Sequence, residues 1–346
     1  MTPETMQQPP QDQPDSLPFP YNQRPFCHYE PVEKSIPSIR VLVVNALLHD
    51  EADLSDLARR EWGETAASKL ERERYISSLA VENIVSNVTR LVREPETRVV
   101  NLSETVGAVE EFRPQAVVVS GTLSDFDYYE PEMLRRFARF VERTRTPVLG
   151  ICGGHQLVGL CFGAHCVTLD NREPAERREG RQFEYQYRFI RITDPADPIF
   201  RGMHERDSGV WQDYTTEDRI LRVWQNHGLQ LDRVPEGFHL LATAYLCRNQ
   251  MMVKRTDGQL IYTVQFHLEK SFQDLTSNLQ RINPNLPPEE RKRLLREEAS
   301  RRTLWAHPNE SRDGRIIFEN FLRLALEHGQ NRERVGVNAE DRNAER

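Results

Sequence analysis

The chain has 346 residues, 38% of them hydrophobic, and a formal net charge of −7 at pH 7. That length supports a large buried core, and the charge balance carries no basic excess of the kind that marks nucleic-acid binding. No apolar run approaches the ~20 residues of a membrane span, and the N-terminus has no signal-peptide pattern. Five cysteines (Cys27, Cys152, Cys161, Cys166 and Cys247) show no framework spacing, so reduced thiols and a cytoplasmic location are expected.

Residues 1–37 hold nine of the 21 prolines and few aliphatic side chains, which predicts a disordered or extended arm. Its Phe19, Tyr21, Phe26 and Tyr29 would lie loosely on the domain surface or dock a partner chain. A single domain is expected over 38–329. It opens with an apolar strand at Ile39–Val44, whose near-continuous hydrophobicity suits a parallel strand covered on both faces. The acidic segment 49–64 reads as an inserted surface embellishment. From about Thr65 to Arg93, Leu70, Ile76, Leu79, Ala80, Ile84, Val88 and Leu91 recur at helical spacing and predict an amphipathic helix.

A short strand at Arg98–Val100, a helix over Glu104–Phe112 and a strand at Gln115–Val119 follow, then a charged helix over Glu130–Arg143. Strands and helices in alternation argue for an α/β, doubly wound, mostly parallel sheet. After Gly163 the pattern changes. Strands are expected at Ala164–Leu169, Phe183–Thr193, Ile220–Trp224 and Phe238–Tyr245, with a hairpin pairing 250–254 and 260–266 around Asp257-Gly258. This half reads as an added antiparallel or mixed sheet portion. Residues 270–312 form a second insertion with a charged helix candidate at Pro288–Arg302. A last helix, Gly314–Glu327, is expected to end at Gly329, leaving 330–346 as a charged, frayed tail.

Chemistry concentrates at Val148–Gln156. An apolar strand runs into Gly150-Ile151-Cys152-Gly153-Gly154, a G-x-C-x-G framing that suits a nucleophile on a strand-to-helix elbow. The helix N-terminus beneath the sulfur favours a thiolate, and the Gly153 N–H is placed to receive an oxyanion. Far downstream, Gln265-Phe266-His267-Leu268-Glu269 follows a strand-like run and supplies a base with a carboxylate to orient it. Cys152, His267 and Glu269 are thus a triad candidate. His155 and His227 read as structural. Cys161 and Cys166 match no zinc spacing and read as small buried hydrophobes; no metal or organic cofactor is implied.

These segments, GICGGHQ at 150–156 and QFHLE at 265–269, resemble the class I glutamine amidotransferases. Trp224-Gln225-Asn226-His227-Gly228 agrees. It resembles the QNHG of the small carbamoyl-phosphate synthetase chain and, less closely, the W-x-S-H-G of GMP synthetase. The resemblance spans roughly 39–269 plus the terminal helix and implies the flavodoxin-like fold of that family. It further implies hydrolysis of L-glutamine through a γ-glutamyl thioester on Cys152. Oxyanion donors would be Gly153 and Thr122, with Gly121, Gln156, Asn226, Gly228 and Leu229 at the substrate.

The loop Ser120–Asp125 departs from the family's S-G-G-P or S-N-G-P-G-D. Thr122 and Ser124 stand where glycine is usual and Leu123 where proline is, so side chains are expected to crowd a bound glutamine. Leu268 replaces the usual proline in the His-Glu segment. The chain carries neither a Walker loop nor the S-G-G-x-D-S pyrophosphatase loop, so ammonia is expected to pass to a separate synthetase subunit. Two other readings are a hydrolase of γ-glutamyl or related amides with water as acceptor, and a non-catalytic regulatory or scaffold member of the fold.

Overall fold

The computed structural model describes residues 32–203, 220–256, 258–270, 287–289 and 312–344. The arm at 1–31 and most of 270–312, including nearly all of the Pro288–Arg302 helix candidate, lie outside the described residues. Strand β1 (Ile36–Asn45) begins before the expected boundary, because Ile36 and Ile39 are already fully buried. It pairs in parallel with β2 (Val92–Asn101) and β3 (Ala116–Val119). The short strand read at 98–100 is therefore the end of a ten-residue one. Its first half carries Arg93, Glu94, Pro95 and Glu96, residues that mask a strand pattern but are tolerated at a sheet edge.

β4 (Val148–Ile151) pairs in parallel with β3 and with β11 (Ile261–Val264). Beyond β11 the sheet turns antiparallel through β10 (Met251–Lys254), β9 (Phe238–Thr243), β6 (Glu184–Ile192) and β7 (Ile220–His227). One nine-stranded mixed sheet results, in the order β2-β1-β3-β4-β11-β10-β9-β6-β7. β5 (Cys166–Thr168) and β8 (Leu229–Leu231) form a separate antiparallel pair.

Successive side chains of the parallel strands point to opposite faces, and each face is covered. Val41 and Val43 share a core with Ile84 and Val88 of α2 (Ala66–Leu91) and with Ile317, Phe318 and Phe321 of the C-terminal helix. Leu42 and Val44 face the other way. Their core includes Ala108 of α3 (Thr105–Phe112), Phe137 and Val141 of α4 (Pro131–Arg143), and Leu157 and Val158 of α5 (Gly153–Cys161). The sheet is doubly wound.

Two expectations are corrected. Segment 49–64 is no surface embellishment: it forms a 3-10 turn at Glu51–Asp53 and helix α1 (Asp56–Trp62), and it buries Leu54, Ala58 and Trp62 in the second core. Ser55 starts α1 by accepting a hydrogen bond from the Ala58 N–H at 3.1 Å. The C-terminal helix α6 (Arg312–Ala344) runs straight through Gly329, so no cap forms there, and the expected tail is helical as far as Ala344. A lone glycine costs a helix only ~1 kcal/mol, which the charged helix formers around it offset.

Candidate active site

Three loops at the C-terminal ends of neighbouring parallel strands converge: Ser120–Asp125 after β3, Cys152 after β4, and Gln265–Glu269 after β11. Open α/β sheets place their chemistry at this edge. Cys152 has φ +53° and ψ −105°, a conformation that a non-glycine residue holds only when its surroundings impose it. They do. The Cys152 N–H donates to Val264 O at 2.7 Å, and its carbonyl accepts the Gln156 N–H at 3.1 Å, opening α5. A Cβ on Gly150 would meet Gly154 O at 2.7 Å, and one on Gly154 would meet Val119 O at 2.6 Å. Both glycines are dictated by the closeness of strand and helix.

The three triad candidates meet. A Cβ built on Gly121 would lie 3.5 Å from both Cys152 Cβ and His267 Cε1, so this glycine fills the corner between sulfur and imidazole. His267 Nδ1 and Glu269 Oε1 are 2.7 Å apart in a largely buried pair. The His267 N–H donates to Trp224 O at 2.8 Å, which ties the histidine to β7. Asn87 of α2, fully buried, donates from Nδ2 to Glu269 O at 2.9 Å and fixes the carboxylate's backbone.

Burial alone would lower the pKa of His267, but the Glu269 carboxylate, aided by the Cys152 sulfur, raises it to about 9. Burial likewise opposes ionisation of Glu269, and the His267 charge overrides it and holds that carboxyl below its ordinary range. Between those limits the imidazole carries its proton and the carboxylate its charge. The histidine's contribution is complete below its ordinary pKa near 6.5 and lost as pH rises through about 9. The carboxylate's contribution is present above its ordinary value near 4.5 and lost as pH falls through its lower folded value. Glu269→Gln is expected to cost about 3 kcal/mol of stability at pH 6 to 8, a difference that fades above pH ~9. Urea denaturation across that range checks it.

The oxyanion candidates lie together. A Cβ on Gly153 would come within 2.4 Å of Thr122 N, so the two backbone N–H groups are near neighbours. Both departures in the Ser120–Asp125 loop are seated in protein. Thr122 packs its hydroxyl against Gly153, and the Ser124 hydroxyl donates to Glu73 Oε1 at 2.5 Å. Asp125 is gripped by Arg181 through two bonds of 2.8 and 2.7 Å and by Arg178 at 2.9 Å.

On the substrate side, Asn226 O lies 3.8 Å from Cys152 Sγ. Gly228 has no room for a Cβ beneath Phe183 and Arg181. Gln156 donates from Nε2 to Leu229 O at 2.9 Å and to Gln265 Oε1 at 3.0 Å, which leaves its amide oxygen to face a ligand. His155 is fully buried beside Thr263 Oγ1 at 2.8 Å, and burial pushes its pKa down to about 3, so it is neutral. His227 pairs with buried Glu184 at 3.2 Å. Both histidines have structural partners.

Sequence reasoning missed four contributors. Gln265, quoted only as part of a motif, donates from Nε2 to Cys152 Sγ at 3.7 Å. Arg178 and Arg181 lay in a segment read as a charged loop. Glu73 carried one available signal: it stands three residues after Leu70, a charge set on the apolar stripe of α2.

The chain matches the family described as glutamine amidotransferase class-I over residues 78–281, more than half its length. It is 28% identical over 174 residues to the amidotransferase-type relative of Thermococcus kodakarensis named as one subunit of a glutamine-hydrolyzing GMP synthase, covering 50% of this chain and 76% of that one. The relative of the same name from Methanothermobacter thermautotrophicus is 32% identical over 130 residues, 38% of this chain and 55% of that one. The glutamine-hydrolyzing GMP synthase of Ralstonia pickettii is 32% identical over 163 residues, 46% of this chain. The chain spans only 26% of the length of that relative. Among solved structures, a glutamine amidotransferase from Thermotoga maritima superposes with a TM-score of 0.46 at 20% identity, covering 83% of this chain and 98% of the other. The elbow at Cys152, the His267–Glu269 pair behind it and the family match over 78–281 agree, and the chain belongs to the class I glutamine amidotransferases, a family of cysteine-dependent amidohydrolases.

Proposed function

We propose that the chain hydrolyses L-glutamine to glutamate and ammonia and hands the ammonia to a separate synthetase subunit. The observation that carries this is the strained Cys152 elbow held beside the His267–Glu269 pair, 2.7 Å between ring nitrogen and carboxylate. The Cys152 proton passes to His267, and the thiolate attacks the carboxamide carbon while the carbonyl electron pair moves onto oxygen. Gly153 N–H and Thr122 N–H receive that oxyanion. Collapse expels ammonia, which takes its proton from His267, and leaves the γ-glutamyl thioester. His267 then removes a proton from water, whose oxygen attacks the thioester; the second collapse frees glutamate and returns the sulfur. Glu269 keeps the imidazole oriented and offsets its charge.

Gly121 leaves the corner between sulfur and imidazole open to the substrate side chain. The Gln156 amide oxygen would accept from the substrate α-ammonium. The backbone at Asn226, Gly228 and Leu229 would hold the α-carboxylate.

Support for the separate acceptor comes from the relatives of Thermococcus and Methanothermobacter, whose names describe one subunit of a glutamine-hydrolyzing GMP synthase. Cytoplasm is the compartment that fits a working thiol. Four cysteines of the described residues are free, and no described helix is long and apolar enough to cross a membrane. Glutamate released from L-glutamine, by the chain alone and with a candidate synthetase subunit, beside a Cys152→Ala control, tests the proposal. Release that survives in the control sinks it. Release from γ-glutamyl amides but not from glutamine moves the chain to the hydrolase reading.

A further inference from the structure

Glu73 lies outside the residues the family model matches, five positions before they begin, yet its side chain reaches the loop that carries a proposed oxyanion donor. It is 2% exposed. Its Oε1 accepts the Ser124 hydroxyl at 2.5 Å, and its Oε2 is buried with no hydrogen-bond partner. The backbone amides of Leu48 and Ser124 also face the carboxyl. Glu73 belongs to no ion pair among the described residues; Arg72, its neighbour on α2, acts on it only at a distance. Burial pushes its pKa up to about 7, against the pull of the Ser124 hydrogen bond.

A carboxyl kept dry at that cost, with one oxygen unpaired, contributes little as a structural group. What it does have is a grip on the loop. Ser124 is held from the α2 side by Glu73, and its neighbour Asp125 is held by Arg178 and Arg181 from the 170–183 segment. Two residues upstream, Thr122 lies against Gly153. A glycine at 124, usual in the family, has no hydroxyl to offer such an anchor. The departure in the loop and the buried acid on α2 form one unit.

We propose that Glu73 is a positioning residue: by accepting the Ser124 hydroxyl it holds the Ser120–Asp125 loop so that the Thr122 N–H stays beside that of Gly153. The catalytic consequence rests on the glutamine-hydrolysis reading; the anchoring itself does not.

The experiment compares full-length wild type, Glu73→Gln, Ser124→Ala and the double variant by two readouts. The first is hydrogen exchange of the 121–125 amides, expected to quicken about tenfold in each single variant and no further in the double, since both remove one contact. The second is glutaminase kinetics. A lost transition-state donor lowers kcat about tenfold while KM stays within about twofold. Alkylation of Cys152 by iodoacetamide, which needs no oxyanion site, is expected to keep its rate and shows that the fold and thiol are intact. Unchanged exchange in either single variant, or additive effects in the double, overturns the proposal. Quickened exchange with unchanged kcat leaves an anchor that positions nothing, and overturns it too. If wild type releases no glutamate, the hydrolysis reading falls, and the exchange result alone decides whether Glu73 holds the loop. Should Glu73→Gln fail to fold, Ser124→Ala reports on the same bond from the exposed side.

Discussion

With Cys152 replaced by alanine, glutamate release from L-glutamine is expected to fall by at least about 10⁴-fold, to the background of the assay. The alanine fits. Cys152 is only 5% exposed, its backbone is held at both ends by hydrogen bonds, and alanine removes one sulfur without disturbing Gly150 or Gly154. The fold stays, and no other side chain can form the thioester: His155 is neutral and bonded to Thr263, and burial pushes the Cys161, Cys166 and Cys247 thiols well above their ordinary range. His267→Ala is expected to cost nearly as much. Glu269→Gln retains the shape but not the charge and is expected to cost about 10² to 10³-fold, through loss of imidazole orientation. Steady-state glutamate release with far-UV circular dichroism on each variant decides it. Cys152→Ala turnover within tenfold of wild type would remove the thioester from the reaction.

Gly153→Ala carries the second large effect. Its new methyl would meet Thr122 Oγ1 at 2.1 Å, Thr122 N at 2.4 Å and Thr122 Cβ at 2.6 Å. A flexible side chain could swing clear of one such contact, but the amide nitrogen belongs to the loop backbone. That loop is tethered at Ser124 and Asp125. It must shift as a body or stay and carry the clash. Either way one oxyanion donor leaves its place, expected to lower kcat by about 10² to 10³-fold. Distortion of a close-packed site adds roughly 1–3 kcal/mol of instability. Gly163→Ala supplies the control, since its Cβ would meet nothing within 4 Å and its positive φ of 83° accounts for any strain. A Gly153→Ala enzyme with full kcat would show that Thr122 N–H takes no part in the oxyanion site.

The parallel half of the sheet was legible because each of its strands declares itself within a few residues. Val41–Val44, Val117–Val119 and Val148–Ile151 are apolar without a break, as strands covered on both faces must be. The elbow was legible for a similar reason: only a G-x-C-x-G run allows the 2.6 and 2.7 Å approaches found at Gly154 and Gly150. Segment 49–64 escaped notice because α1 is seven residues long, too short for helical periodicity to rise above its charges. The last helix was cut short at Gly329 for the opposite reason. A local stop signal was present, but nothing in the surrounding charges enforced it.

By itself, then, the sequence determined what is written in adjacent residues: the order of strands and helices, the strained turn at Cys152, and the His267–Glu269 pair two positions apart. The tertiary structure alone decided which distant groups support them. Ser124 and Glu73 stand 51 positions apart, Asn87 and Glu269 182, Cys152 and Gln265 113. Their bonds exist only because β3, β4 and β11 end side by side with α2 laid across one face. Periodicity reports which face of an element is buried; it carries no information on which buried polar group will meet which. That pairing is set when the layers close and every desolvated donor and acceptor must find a partner within about 3 Å or leave one unsatisfied.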